Sequence, residues 1–320
     1  MEKDMEVKHM KFGFGVDLGG TTVKLAYFDE AGTMLDKWEI PTDISDNGDH
    51  ILPDIAKTIL AYMEEKKIDR DDILGIGIGV PGAVNNKGIV AGCDNLGWGH
   101  FSIKDVLEPL TGLRVVAGND ATVAALGECW KGGGQGYKSM VLVTLGTGVG
   151  GGIIINGKAI HGVTGSAGEI GHMVLNRNET AVCGCGKSGC VEQYCSATGI
   201  IRLTKLALAE SDTPSPLRSM EKFMAKDVFD AAAQGDTIAQ GVLDQVFEYM
   251  GEFIANICCV VNPEAIVFGG GVSRAGQPIL DGVRKSFKKW GYHACQDTQF
   301  KLATLGNDAG AYGAFKLVAE

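Results

Sequence analysis

The chain has 320 residues, 45% of them hydrophobic and 21% charged, with a formal net charge of -10. That composition excludes a disordered or low-complexity chain, and the length suits two domains. The acidic balance argues against nucleic acid and anionic membrane surfaces as general partners, although backbone N–H groups in a glycine turn still hold phosphate in an acidic protein.

No apolar run reaches the roughly 20 residues of a membrane helix. The opening MEKDMEVKHMKF mixes acids and bases where a secretion signal needs an apolar stretch, so a cytoplasmic location is expected. The first ten residues read as a polar lead. Lys11 to Leu18 alternates and runs into glycines, which predicts a strand ending in a turn. Val23 to Phe28 and Thr33 to Ile40 predict two more strands, with Glu30-Ala31-Gly32 as their hairpin turn. Ile51 to Lys67 carries apolar residues at helical spacing, and Ile73 to Val80 is a buried strand stopped by Pro81-Gly82. Ser102 caps a short helix to Leu110, closed at Gly112. Leu113 to Ala117 is a strand, and Asn119-Asp120 caps a helix reaching Trp130.

Lys138 to Leu145 and Gly151 to Ile155 predict two strands around a glycine loop, and the cysteine-rich stretch after them reads as irregular. Helices are expected at Ala197 to Glu210, Ala225 to Gln234 and Thr237 to Val261. A strand from Ala265 to Phe268 ends at Gly269-Gly270-Gly271; a helix from Gly276 to Lys289, a strand from Phe300 to Ala303 and a helix from Ala309 to Val318 complete the chain. Two rounds of strand meander followed by helix–strand alternation therefore start at Lys11 and Lys138. The expected domains are residues 1–118, small, and 119–306, large, with the helix of 307–320 packing back on the first.

Asp17-Leu18-Gly19-Gly20-Thr21-Thr22 lies in a turn between strands, where glycines turn N–H groups inward and the threonines add donors. Asp17 is placed to hold Mg²⁺ through water. The Gly146-Thr147-Gly148 loop takes the same place in the second round. Residues 146, 148 and 151 match G-x-G-x-x-G, as do 77, 79 and 82, but no helix follows either, so the dinucleotide reading is rejected. No G-x-x-x-x-G-K-[ST] occurs. Two phosphate-type hairpins, one per round, suit a triphosphate, and the Gly270-Gly271 turn lets a flat base approach the backbone. Asn119-Asp120 serves as a helix cap, and Asp120 also sits where a general base for a sugar hydroxyl would.

There are nine cysteines, an odd number unlike a disulfide framework. Cys183, Cys185 and Cys190, with His172 upstream, form a donor set suited to tetrahedral, structural Zn²⁺. The other six read as small buried hydrophobes. A metal there would fix Glu169, His172 and Glu192 together, and such groups can read several sugar hydroxyls.

Asp17-Leu-Gly-Gly-Thr-Thr-Val-Lys24, Gly118-Asn-Asp-Ala121, the loop of 146–152, Glu169-Ile-Gly-His172 and Cys183-Gly-Cys-Gly-Lys-Ser-Gly-Cys190-Val-Glu192 resemble the ROK family of repressors, open reading frames and kinases. The similarity runs in order from about Phe12 to Ala314, and the bacterial glucokinase branch is the most similar. The resemblance implies an α/β, actin-like ATPase (ribonuclease H-like) fold, two related lobes with a cleft that closes on ATP and sugar. It implies ATP-dependent phosphorylation of the 6-hydroxyl of glucose, with Asp120 as base. Sugar contacts are implied from Gly82, Asn95, Asn119, Asp120, Glu169, His172 and Glu192. ATP contacts are implied from Gly19, Gly20, Thr21 and Thr22, from Thr147 and Gly148, and from Gly270 and Gly271. Mg²⁺ would travel with ATP, and a homodimer is the common assembly. Before Asn95 the family commonly carries proline, where this chain has Cys93-Asp94. N-acetylmannosamine, fructose, allose or N-acetylglucosamine stand as alternative substrates. A sugar sensor and a repressor are the non-enzymatic alternatives; the latter is disfavoured because about ten residues precede Lys11, short of a helix-turn-helix.

Overall fold

The computed structural model describes residues 10–320. Of the expected polar lead, all but Met10 lies outside the described residues. The chain divides into two compact units: residues up to Lys131 with Ala159–Ala167 and Asn307–Glu320, and Gly132–Lys158 with Gly168–Gly306.

In the first unit β1 (Phe12–Leu18), β2 (Thr22–Asp29) and β3 (Met34–Pro41) form an antiparallel meander, followed by α1 (Ile51–Lys66) and β4 (Ile73–Val80). A separate two-stranded ladder, β5 (Ile89–Val90) with β6 (Phe101–Ser102), precedes α2 (Ile103–Thr111), β7 (Val115–Asn119) and α3 (Asp120–Lys131). The sheet order is β3-β2-β1-β4-β7, with β4 parallel to both β1 and β7. Ser102 caps α2 by accepting the N–H of Asp105 at 3.2 Å, and Gly112 ends it in the left-handed conformation.

The second unit repeats the plan. β8 (Met140–Leu145), β9 (Val149–Ile155) and β10 (Lys158–Ala159) come first, then α4 (Glu192–Cys195), α5 (Ala197–Glu210), α6 (Ala225–Ala233) and α7 (Thr237–Val261). β11 (Ala265–Gly269), α8 (Gln277–Trp290) and β12 (Gln299–Leu302) follow. Its order, β10-β9-β8-β11-β12, mirrors the first sheet, with β11 parallel to β8 and β12. Val141 and Val143 of β8 share one core with Met250, Phe253 and Ile254 of α7 and Phe287 of α8. α9 (Ala309–Ala319) belongs to the first unit.

The compact units part at Lys131, not at Gly118, because α3 packs on α9. Cβ atoms added at Gly127 and Gly313 would fall 2.2 Å from the Ala309 carbonyl oxygen and 1.7 Å from that of Val123, so the two helices meet backbone to backbone. The two faces of β1 explain the rest. Phe14 and Val16 pack with Ile55, Ile59, Ile103 and Leu107 from α1 and α2. On the opposite face Gly15, like Gly77 on β4, leaves room for the backbone of α9. Phe315 of α9 then stacks on Phe28 at 4.8 Å and is fully buried, worth roughly 2–3 kcal/mol.

Candidate active site

Strand register brings the candidate groups of the first unit together. Asp17 on β1 lies opposite Gly79 on β4, Gly79 opposite Gly118 on β7, and Val80 opposite Asn119. Three parallel strands thus end at one level. The turns that follow them, Gly19–Thr22, Pro81–Gly82 and Asn119–Asp120, share the carboxyl edge of the sheet, where open α/β sheets bind ligands. At about 4.8 Å per strand, Asp17 stands roughly 10 Å from Gly118.

The Asp17 carboxylate lies against the first turn of α9: a Cβ added at Gly310 would sit 2.5 Å from its Cγ. Burial raises its pKa, and Lys24, 3.9 Å away, offsets part of that rise. The turn beyond it is tied by the Gly19 N–H to the Thr22 carbonyl at 3.0 Å and by the Thr42 hydroxyl to the Gly19 carbonyl at 2.7 Å. Gly20 and Thr21 are exposed at its tip.

Asn119 is buried and its amide is used internally. Nδ2 donates to the Gly82 carbonyl at 3.0 Å and to Asp120 Oδ1 at 2.9 Å, while Oδ1 accepts the Thr122 N–H at 3.0 Å. The Ala121 N–H also donates to Asp120 Oδ1, at 2.7 Å. Two donors on one oxygen fix the plane of the Asp120 carboxylate. Asn95 is exposed on a single turn, Asp94–Leu96, whose preceding residue Cys93 exchanges two backbone hydrogen bonds with Trp98. Cys93 borders Gly82: a Cβ on that glycine would lie 3.4 Å from its own.

In the second unit Thr147 and Gly148 form the β8–β9 turn, and Gly270-Gly271 follows β11. Because Gly269 pairs with Thr144, both glycine turns share the carboxyl edge of the second sheet. Glu169 is exposed and precedes the turn Ile170–His172, whose three-residue period returns Glu169 and His172 to one side. Glu192 opens α4; its Oε1 accepts the Cys183 thiol at 2.8 Å and lies 3.7 Å from His172 Nδ1, and its Oε2 would be 2.7 Å from a Cβ at Gly148. Glu192 therefore stands between the cysteine cluster and the Thr147–Gly148 turn.

The donor atoms of His172, Cys183, Cys185 and Cys190 lie within 4.8 Å of one another. Cys185 and Cys190 sulfurs are 3.6 Å apart, and Cys183 is 3.8 Å from His172 Nδ1. Zn–S bonds of about 2.3 Å require sulfurs roughly 3.8 Å apart, so the donor set fits a tetrahedral ion. Cys185 is held below the ordinary thiol range, first by the Lys187 N–H, whereas burial pushes the Cys183 and Cys190 thiols up.

Some functional geometry escaped sequence reasoning. Glu179 organises the cysteine loop: it accepts the Ala181 N–H at 3.0 Å, the Tyr194 hydroxyl at 2.8 Å and Arg202 at 2.9 Å, and its pKa falls to about 2. The backbone N–H of Ala181 is the largest cause, then the Tyr194 hydroxyl, with Arg202 adding to them. His161, on the segment that returns to the first unit, would lie 3.5 Å from a Cβ on Gly118, and burial pushes its pKa below the ordinary imidazole value. Thr198 donates to the Thr147 carbonyl at 2.7 Å. Apart from the local Glu179–Ala181 turn, these contacts join residues distant in sequence, and no local pattern marks them. Of the six scattered cysteines, Cys93, Cys195, Cys258 and Cys295 are buried, Cys129 is half-buried, and Cys259 is exposed, on the solvent side of α7 beside exposed Val260. Among the described residues no helix is long and apolar enough to cross a membrane.

Known proteins match the chain over nearly its whole length. A glucokinase of Halalkalibacterium halodurans is 45% identical over 96% of this chain and 94% of its own. A glucokinase of Thermotoga maritima is 35% identical, over 96% of each chain. The crystal structure of a ROK family glucokinase from Streptomyces griseus, in complex with glucose and AMPPNP, superposes with a TM-score of 0.72 at 34% identity, over 96% of this chain and 98% of that one. The paired sheets, three meander strands followed by two parallel ones, are those of the actin-like ATPase fold. With the family model for ROK proteins matching residues 13–320, the chain belongs to the ROK family.

Proposed function

We propose that the chain is an ATP-dependent glucokinase that transfers the γ-phosphoryl group of ATP to the 6-hydroxyl of glucose, with Asp120 as general base. The observation that carries this reading is the fixed Asp120 carboxylate, clamped through Oδ1 by Asn119 and Ala121 at the carboxyl edge of its sheet. A base held in one plane can take the hydroxyl proton as the oxygen attacks phosphorus in line. Gly82, Asn95, Asn119, Glu169, His172 and Glu192 are the sugar contacts of this reading. Asn119 spends both Nδ2 protons on Gly82 and Asp120, so positioning them is its first task, and a sugar hydroxyl would meet it through the remaining lone pair of Oδ1.

The turns Gly19–Thr22, Thr147–Gly148 and Gly270–Gly271 receive the nucleotide in the same reading, through backbone N–H groups. Asp17 would hold Mg²⁺ through water, and the ion would neutralise charge on the phosphates. His172, Cys183, Cys185 and Cys190 would hold Zn²⁺. Four protein donors leave no open position, which makes that metal structural, a clamp on Glu169, His172 and Glu192. Metal analysis of the purified chain is expected to find one zinc per chain; a metal-free chain with full activity and unchanged Tm would remove zinc from the account.

ADP release with MgATP, compared by kcat/KM across glucose, N-acetylmannosamine, N-acetylglucosamine, fructose and allose, tests the function. Glucose is expected to lead. A different leading sugar would reassign the substrate, and no turnover with any of them would end the kinase reading.

A further inference from the structure

The N-terminus of α5 reaches the β8–β9 turn, and its contacts have a defined polarity. The Ala197 N–H donates to the Gly146 carbonyl at 2.8 Å, and the Thr198 hydroxyl donates to the Thr147 carbonyl at 2.7 Å. Behind Thr198, the Ser196 hydroxyl lies 2.9 Å from the Thr198 oxygen and 2.6 Å from the Glu192 carbonyl, and it accepts the Gly199 N–H at 2.9 Å. Each hydroxyl has one proton. The Thr198 proton goes to the Thr147 carbonyl and the Ser196 proton to the Glu192 carbonyl, so fully buried Ser196 backs Thr198 by close contact and leaves the Thr198 donor to the turn.

Peptide geometry converts these contacts into a statement about the opposite side of the turn. The described backbone contains no cis peptide bond. In a planar trans peptide the N–H of one residue points away from the carbonyl of the residue before it. Drawing the carbonyls of Gly146 and Thr147 onto α5 therefore turns the N–H groups of Thr147 and Gly148 the other way. Two successive N–H groups on one side of a turn make an anion-binding nest. The carbonyl side is met by the positive end of a 14-residue helix, which favours the same peptide orientation.

We infer that Thr198 and the Ala197 N–H are positioning elements for the nucleotide: by holding the carbonyls of Gly146 and Thr147 on α5, they keep the Thr147 and Gly148 N–H groups aimed at an ATP phosphate. This rests on the assignment of the Thr147–Gly148 turn to the nucleotide. Thr198 itself touches no phosphate in this account; it acts through the orientation of two peptide planes.

Three variants of the full chain test it, each checked for an unchanged circular dichroism spectrum. Thr198→Val removes the hydroxyl at nearly constant shape, and Thr198→Ser restores it. Ala197→Pro removes the other donor at the first helical position, which tolerates proline, behind a Ser196 whose φ of -77° and ψ of 169° suit a residue preceding proline. The expected result is a KM for MgATP raised about fivefold in Thr198→Val and in Ala197→Pro, with the KM for sugar within about twofold of wild type and Thr198→Ser close to wild type. A Thr198→Val enzyme with wild-type KM for MgATP overturns the positioning role and leaves the kinase standing. Equal rises in both KM values overturn it too, since that marks a general loss of structure. A wild-type chain that binds no ATP by calorimetry overturns both the nucleotide assignment and the role built on it.

Discussion

The Asp120 carboxylate is constrained through Oδ1, which suits the role of base proposed for it. Asn119 donates to it and to the Gly82 carbonyl at once, so one buried amide ties the end of β7 to the turn after β4. Asparagine at 120 would keep the volume and an acceptor oxygen for the Ala121 N–H, yet could not accept a proton near neutral pH. The pair at 119 and 120 reads from sequence as a helix cap, and Asp120 also as a base; in the structure Asn119 Oδ1 caps by accepting the Thr122 N–H, and Asp120 is the first residue of α3. The close approach of Gly310 to Asp17 was not readable, because the two residues lie at opposite ends of the chain and meet only once α9 has docked.

At the scale of elements, the loop from Asn176 to Cys190 has little regular structure and depends on polar contacts. Gln193 accepts the N–H groups of Gly189 and Cys190 and donates to the Ala181 carbonyl, while Glu179 gathers Tyr194 and Arg202. Glu179→Gln is expected to lower Tm by a few degrees at pH 7, about 1 kcal/mol for the lost charge-assisted contacts. The pH dependence has a fixed sign. The Glu179 pKa is depressed from 4.5 to about 2, so its contribution is complete above about pH 4.5 and declines as pH falls toward 2. The Tm difference between the two proteins should therefore shrink in acid, and thermal melts between pH 7 and 3 measure it. A gap that widens on acidification would contradict the role given to Glu179.

At the scale of the molecule, periodicity carried far. The 25 residues of α7 begin and end where the apolar pattern does, at Thr237 and Val261. The glycine turns fall at strand ends because few other residues permit them, and the two rounds of meander read from Lys11 and Lys138 are the two sheets. Assignment of elements to units was harder. α3 looks like the opening of a second domain until Gly127 and Gly313 meet, and Ala159–Ala167 leaves the second unit and returns to the first with no marker in its composition. Such choices depend on contacts between distant residues, which a local pattern does not encode.

The claim that joins these levels is that Asp120 takes the proton of the sugar hydroxyl as phosphate is transferred. Steady-state turnover of Asp120→Asn with MgATP and glucose, together with its glucose affinity by calorimetry, tests that claim most directly. The account predicts turnover reduced by ~10² or more and glucose affinity within roughly tenfold of wild type. Near-normal turnover in a variant that still binds glucose would contradict it.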